Sequence, residues 1–180
     1  MSEELDVLKE VTGRLDKASI SYMISGSVAM NFYAQPRMTR DIDIVVILRP
    51  ENVKDFIALF EKDFYIEPDT VKDEVARNGM FNIIHNKFIL KIDFIIQREE
   101  KFSQSRFNRR KQIKIDGVKM WIISAEDLIL SKLLWAKDSL SEMQLKDVKN
   151  ILSVAEGLDL EYMNKWADEL GVRELLSGLK

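Results

Sequence analysis

The chain has 180 residues, 46% of them apolar and 32% charged, with a formal net charge of −3 and no cysteine. That balance excludes a disordered chain, a disulfide scaffold and a thiolate metal site, and it lacks the overall positive charge of a nucleic-acid binder, so any polyanion must be handled locally. The length fits one domain with a substantial core; no segment reaches the length of a membrane span, and the start Met-Ser-Glu-Glu-Leu-Asp lacks a signal peptide's basic and apolar runs, so the expected compartment is the cytoplasm.

Residues 3–18 read as an amphipathic helix, with Leu5, Leu8, Val11 and Leu15 at helical spacing. A short strand follows from Ile20 to Ser25, then a helix from Ser27 to Tyr33 ended near Pro36. Tyr33 suits packing better than base stacking. The chain re-emerges as the apolar strand Asp41 to Leu48, opening on Asp41-Ile42-Asp43. Side chains alternate along a strand, so Asp41 and Asp43 share one face about 6–7 Å apart while Ile42 and Ile44 face the core. Ionised groups in so apolar a strand are costly unless paired or metal-bound. Two carboxylates so placed suit hard divalent cations, and Mg²⁺ is commonly held by one or two carboxylates plus substrate phosphates. Upstream, Gly26 permits a tight turn and Ser27 brings a hydroxyl to a helix N-terminus, where the dipole favours phosphate. Each piece alone has a plainer reading, Gly-Ser as a turn with an N-cap and Asp-x-Asp as an exposed strand end; their conjunction points to phosphate and metal.

Further along, Pro50 starts a helix with Val53, Phe56, Ile57 and Phe60 on one face, and Tyr65 to Glu67 is a brief strand. Asp69 to Asn78 reads as a short helix or a mobile loop. Met80–His85 and Phe88–Ile96, joined at Asn86-Lys87, form an antiparallel hairpin that delivers Asp93 beside the first acid pair. Lys91 shares the face of Asp93, either as a counter-charge to a crowded acid cluster or as a triphosphate contact. The lone His85 suits a surface or capping role. From Arg98 to Lys114, Arg106, Arg109, Arg110, Lys111 and Lys114 interleave with Phe102 and Phe107, as a basic arm for nucleic acid or as a solvated loop. A hairpin at Asp116-Gly117 joins Gln112–Ile115 to Val118–Ile123. Ser124-Ala-Glu-Asp127 resembles a capping box opening a leucine-rich helix, followed by helices at about Ser141–Ala155 and Asp159–Leu170 with no acid-base constellation of their own. The apolar run Leu170 to Leu179 offers a face for another copy of the chain.

Gly26-Ser27, thirteen intervening residues and Asp41-Ile42-Asp43-Ile44 together resemble the signature of the DNA polymerase beta-like nucleotidyltransferase superfamily. The lead-in Pro36-Arg37-Met38-Thr39-Arg40 is similar to the small nucleotidyltransferases related to abortive-infection and type IV toxin-antitoxin proteins. The resemblance is specific over residues 20–96 and looser through Ser124 to Leu152. It implies an α+β fold, a mixed twisted sheet flanked by helices, with a catalytic core over 1–123 and a helical part over 124–180 in one compact domain. It implies Asp41, Asp43 and Asp93 as catalytic and metal-holding residues for Mg²⁺ or Mn²⁺, with Gly26, Ser27, Arg37, Lys91 and Lys132 toward the nucleotide. Lys132 enters through Glu126 to Leu134 and Lys146-Asp147-Val148, which resemble the related families' helical continuation. A second basic contact from that helix is in doubt, because Ala136 to Gln144 contains no arginine.

The implied reaction moves a nucleoside monophosphate from a triphosphate to a hydroxyl of a protein, an RNA or a small molecule. Asp41 and Asp43 would bridge two ions and Asp93 would hold the acceptor-side one. Two other readings compete. The domain is a catalytically silent nucleotide- or RNA-binding protein or an antitoxin-type partner, or the acids hold a structural cation.

Overall fold

A computed structural model describes residues 3–39, 41–139 and 141–179. Arg40, the last residue of the lead-in, lies outside the described residues. Helix α1 (Glu3–Lys17) buries Val7, Leu8, Val11 and Leu15. Strand β1 (Tyr22–Ile24) feeds helix α2 (Gly26–Tyr33), and strand β2 (Asp41–Val46) follows. A 3-10 turn at Pro50–Asn52 leads into helix α3 (Val53–Phe60), then strand β3 (Phe64–Tyr65) and helix α4 (Pro68–Ala76). Strands β4 (Met80–His85) and β5 (Leu90–Ile96), helix α5 (Lys101–Asn108), and strands β6 (Lys111–Ile115) and β7 (Val118–Ile122) complete the sheet half. Helices α6 (Ala125–Ser139), α7 (Glu142–Val154), α8 (Leu160–Glu169) and α9 (Arg173–Gly178) close the chain.

Among the described residues the strands form one mixed sheet in the order β3-β4-β5-β2-β1-β7-β6. The central pair, β2 and β5, runs parallel, and β1 runs antiparallel to β2 and parallel to β7. The fold is therefore α+β with a mixed sheet, as expected. Helix α1 reaches across it: Lys9 pairs with Asp116 in the β6–β7 turn, and Arg14 pairs with Asp63 and donates to the Leu59 carbonyl on α3. Beneath lies an aromatic core of Phe56, Phe60, Phe64, Phe81 and Phe94, with ring centroids 5.0–5.9 Å apart. Rings of this size dominate burial, and truncating one costs about 3–5 kcal/mol.

The structure revises several local expectations. Strand β5 starts at Leu90 because Ile89 takes a φ of +51° and its N–H returns to the His85 carbonyl, so the connecting turn is longer than two residues. His85 caps this turn, its Nδ1 accepting from the Lys87 and Phe88 amides, but it is buried between Phe64 and Phe88. Of the two readings of Asp69 to Asn78, the short helix holds, over Pro68–Ala76. The basic stretch after Arg98 is also helical, because Phe102 and Phe107 on α5 turn into the core. Arg110 then lies over Phe107 and Trp121, and burial pushes Arg106 below its usual range, so these aromatics are not free for bases. The Asp116-Gly117 turn has positive φ at both residues, +46° and +84°, as a type I′ hairpin requires. The C-terminal run packs on its own chain, with Val172 and Leu176 buried.

Candidate active site

The site forms where β1 ends and β2 and β5 begin. In-register parallel pairing sets Asp43 directly beside Asp93 and Asp41 beside Lys91. The alternation read from Asp41-Ile42-Asp43 holds: Ile42 and Ile44 are buried and the two aspartates are half-buried on the other face. Asp93 is buried, and its Oδ1 has no hydrogen-bond partner. Lys91 spans the group, its Nζ 2.7 Å from Asp93 Oδ2 and 3.9 Å from Asp41 Oδ2. Thr39 donates from its hydroxyl to Asp41 Oδ1 at 2.9 Å.

The Gly26-Ser27 turn closes against this corner. The Ser25 amide donates to the Asp43 carbonyl, and Gly26 takes a φ of +59°. A Cβ at Gly26 would lie 1.8 Å from Asp43 Oδ2, so only glycine lets the carboxylate reach the turn. No side chain caps α2, and the first-turn amides of a helix have no intrahelical acceptor. The turn thus offers free donors beside a carboxylate. Burial first, then the Asp41 and Asp93 carboxylates, push the Asp43 carboxyl up to about 6.

Ser27 and Arg37 belong to a second group. The Ser27 hydroxyl accepts from the Arg37 guanidinium at 2.7 Å, and Asn31 pins the Arg37 backbone through a reciprocal pair of hydrogen bonds. Arg37 forks onto Asp147 of α7 at 3.1 and 3.0 Å, and Lys132 of α6 reaches the same carboxylate at 2.8 Å while also donating to Gln144. Lys132 and Asp147 are both buried. Burial alone would raise the Asp147 carboxyl, but the hydrogen bonds from Arg37 and Lys132 outweigh it and hold it below the usual range. The structure therefore brings together all eight residues singled out in the sequence, in two adjoining groups: Asp41, Asp43, Asp93 and Lys91 with Gly26, and Arg37 and Lys132 on Asp147 beside Ser27.

Sequence reasoning missed Asp147, Gln144 and Asn31, because a carboxylate fifteen residues and one helix turnaround from its lysine leaves no local pattern. The C-terminal helices, expected to carry no acid-base constellation of their own, hold two buried polar networks. Besides Asp147, the buried Asp127 accepts from Tyr162 and Ser124 hydroxyls, both at 2.6 Å, and pairs with Arg109, whose guanidinium lies over the Tyr162 ring. Ser124 also caps α6 by accepting the Asp127 amide. Tyr33 donates to the Ile123 carbonyl and so packs between the sheet and these helices.

Among the described residues no three His, Cys, Asp or Glu side chains are arranged to hold a metal ion. The donor chemistry nevertheless suits a hard divalent cation: all-oxygen ligands, a buried carboxylate oxygen without a partner and an aspartate raised by its neighbours are the features a cation would relieve. No helix among the described residues is long and apolar enough to cross a membrane.

The sheet order and the acid corner define the nucleotidyltransferase fold, and solved structures of that fold resemble this one. An antigenic nucleotidyltransferase-like protein from Paracoccidioides brasiliensis superposes with a TM-score of 0.58 at 18% identity, over 99% of this chain and 92% of that one. The antibiotic-resistance factor ANT(2'')-Ia gives 0.62 at 14% identity, over 97% and 91%. The lincosamide antibiotic adenylyltransferase LnuA, solved with lincomycin bound, gives 0.55 at 14% identity, over 86% and 98%. At such identities the shared property is the fold. No curated protein matches the chain by sequence. Residues 3–174 match the family described as nucleotidyltransferase of unknown function (DUF6036), and the chain belongs to that family.

Proposed function

We propose that the protein transfers a nucleoside monophosphate from a nucleoside triphosphate to an acceptor hydroxyl, with Mg²⁺ or Mn²⁺, and releases pyrophosphate. The observation that carries this reading is the register of Asp43 on Asp93 beneath a glycine turn that no other residue could form without displacing the Asp43 carboxylate. Ser27, the free amides of the α2 start, Arg37 and Lys132 receive the polyphosphate; Asp41, Asp43 and Asp93 would hold the divalent cation. When bound, that cation neutralises phosphate charge and lowers the acceptor hydroxyl's pKa. Asp93 takes the hydroxyl proton. The acceptor oxygen then forms its bond to the α-phosphorus, and the bond from that phosphorus to the bridging oxygen breaks, with its electron pair leaving on pyrophosphate.

The acceptor is a hydroxyl of a protein, an RNA or a small molecule. ANT(2'')-Ia and LnuA, which share the fold, are described as an antibiotic-resistance factor and an antibiotic adenylyltransferase, which supports a small-molecule acceptor as one arm of the test. Incubation with Mg²⁺ and each α-labelled triphosphate, against lysate protein, purified RNA and a small-molecule extract, is expected to label one acceptor class from one preferred nucleotide. Triphosphate binding without any labelled product would favour a silent nucleotide-binding partner.

A further inference from the structure

Three carboxylates and one ammonium meet in the acid corner, and the ammonium reaches inward from a part-exposed side chain. Lys91 sits opposite Asp41 in the β2–β5 register and two residues before Asp93 on the same strand face, so its backbone cannot leave the site without unzipping the central strand pair. Its Nζ closes on Asp93 Oδ2 at 2.7 Å and stands 3.9 Å from Asp41 Oδ2, filling the space between two of the three acids. Asp93 is only 6% exposed. Its other oxygen is buried and unpartnered, so withdrawing Lys91 would strand a buried carboxylate without any counter-charge. The remaining acid, Asp43, stands beside Asp93 in the register and close to the Gly26 turn, where a Cβ would meet its Oδ2 and where the polyphosphate is received.

The two ends of the corner are thus served differently. We infer that Lys91 takes the place of one divalent cation: the corner holds a single ion between Asp41 and Asp43 on the nucleotide side, while the Lys91 ammonium serves Asp93 on the acceptor side. The inference rests on the function proposed above, narrows the cation's holders there to Asp41 and Asp43, and departs from the two-ion arrangement that the sequence resemblance implied. On the two facing strand ends Asp41, Asp43, Asp93 and Lys91 sum to two negative charges, with Glu4, Arg37 and Lys132 near enough to act on Asp41 or Asp43. The ion pairs agree with the inference, since the Lys91 ammonium reaches both Asp93 and Asp41 and leaves Asp43 without an ion pair to it.

The test counts Mn²⁺ bound per chain, by loss of the free-ion electron paramagnetic resonance signal, for the full protein, Lys91→Met, Lys91→Gln and Asp43→Asn. Removing Lys91 leaves the buried Asp93 without its counter-charge, so both variants are expected to melt lower than the parent without metal and to recover in Mn²⁺, and their fold is checked by circular dichroism in Mn²⁺ before ions are counted. The expected counts are one ion for the parent, two for each Lys91 variant and none for Asp43→Asn. Two ions in the parent, or one in both Lys91 variants, would overturn the inference while leaving nucleotidyl transfer intact. Equal binding by the parent and Asp43→Asn would remove the proposed site itself, and the inference with it.

Discussion

Two aspartates of adjoining groups, the half-buried Asp43 and the buried Asp147, are treated in opposite ways. Asp147 receives three hydrogen bonds from two cations, and its carboxyl is held below the ordinary range. Asp43 has two like charges for neighbours and is pushed up to about 6. The first arrangement is satisfied and ties α6 and α7 to the loop before β2. The second is frustrated, and frustration that a fold retains at a cleft marks a place where a ligand is meant to supply what is missing. The contrast separates a carboxylate that the chain's own cations already neutralise from one that is left for a cation from outside.

Breaking the satisfied group should have the largest effect on stability. Asp147→Asn leaves the buried Lys132 without its counter-charge, and removing one charge of a buried pair costs about 3–5 kcal/mol. Thermal unfolding should register this as a fall on the order of 10 °C, since each kcal/mol shifts a chain of this size by about 2–4 °C. The double variant Lys132→Met with Asp147→Leu should recover part of it, because an apolar pair leaves no stranded charge. A double variant as unstable as the single would show that the pair is not what holds these helices.

Next comes the pH dependence of the frustrated group. Asp43 is raised from an ordinary 3.8 to about 6, so the folded chain keeps a proton that the unfolded chain has released between those values. Its contribution to stability is present below about pH 4 and lost as pH rises to about 6, amounting to about 3 kcal/mol for a shift of this size. Metal-free protein should therefore unfold more easily in denaturant at pH 7 than at pH 5, and Asp43→Asn should flatten that slope. Asp147 has the opposite sign: its contribution is present above the ordinary carboxylate value and lost as pH falls through its depressed one. Parallel slopes for the parent and Asp43→Asn between pH 4 and 6 would remove the contrast.

A smaller effect on stability sharpens the geometry. Gly26→Ala forces a Cβ into Asp43 Oδ2 and a side chain into left-handed backbone, at a cost of about 1–2 kcal/mol. The displaced carboxylate should lower the transfer rate about 10²-fold, since shifts near 1 Å are that costly in a reacting site. A rate loss without a matching fall in melting temperature is the signature to look for.

Much of this was legible in the sequence, and for definable reasons. The acid corner follows from period-two alternation in Asp41-Ile42-Asp43 and from a hairpin that returns Asp93 to the same sheet, both local patterns. The β6–β7 hairpin was fixed by Asp116-Gly117, a turn with few conformational alternatives. What escaped was tertiary: α5 reads as a charged loop until Phe102 and Phe107 find the core, and the C-terminal run reads as an interface until Val172 and Leu176 are seen buried in their own chain. Asp147 escaped for the same reason, its partners lying on a loop and on another helix, fifteen and one hundred and ten positions away.

The most direct measurement pairs label transfer with thermal unfolding for the parent and Asp43→Asn. Losing one carboxylate from the corner should cut incorporation of α-labelled nucleotide by about 10²–10³-fold while the metal-free melting temperature stays level or rises, because the substitution removes a charge the fold does not tolerate well. Incorporation at the parent's rate, or a melting temperature that collapses with it, would contradict the account.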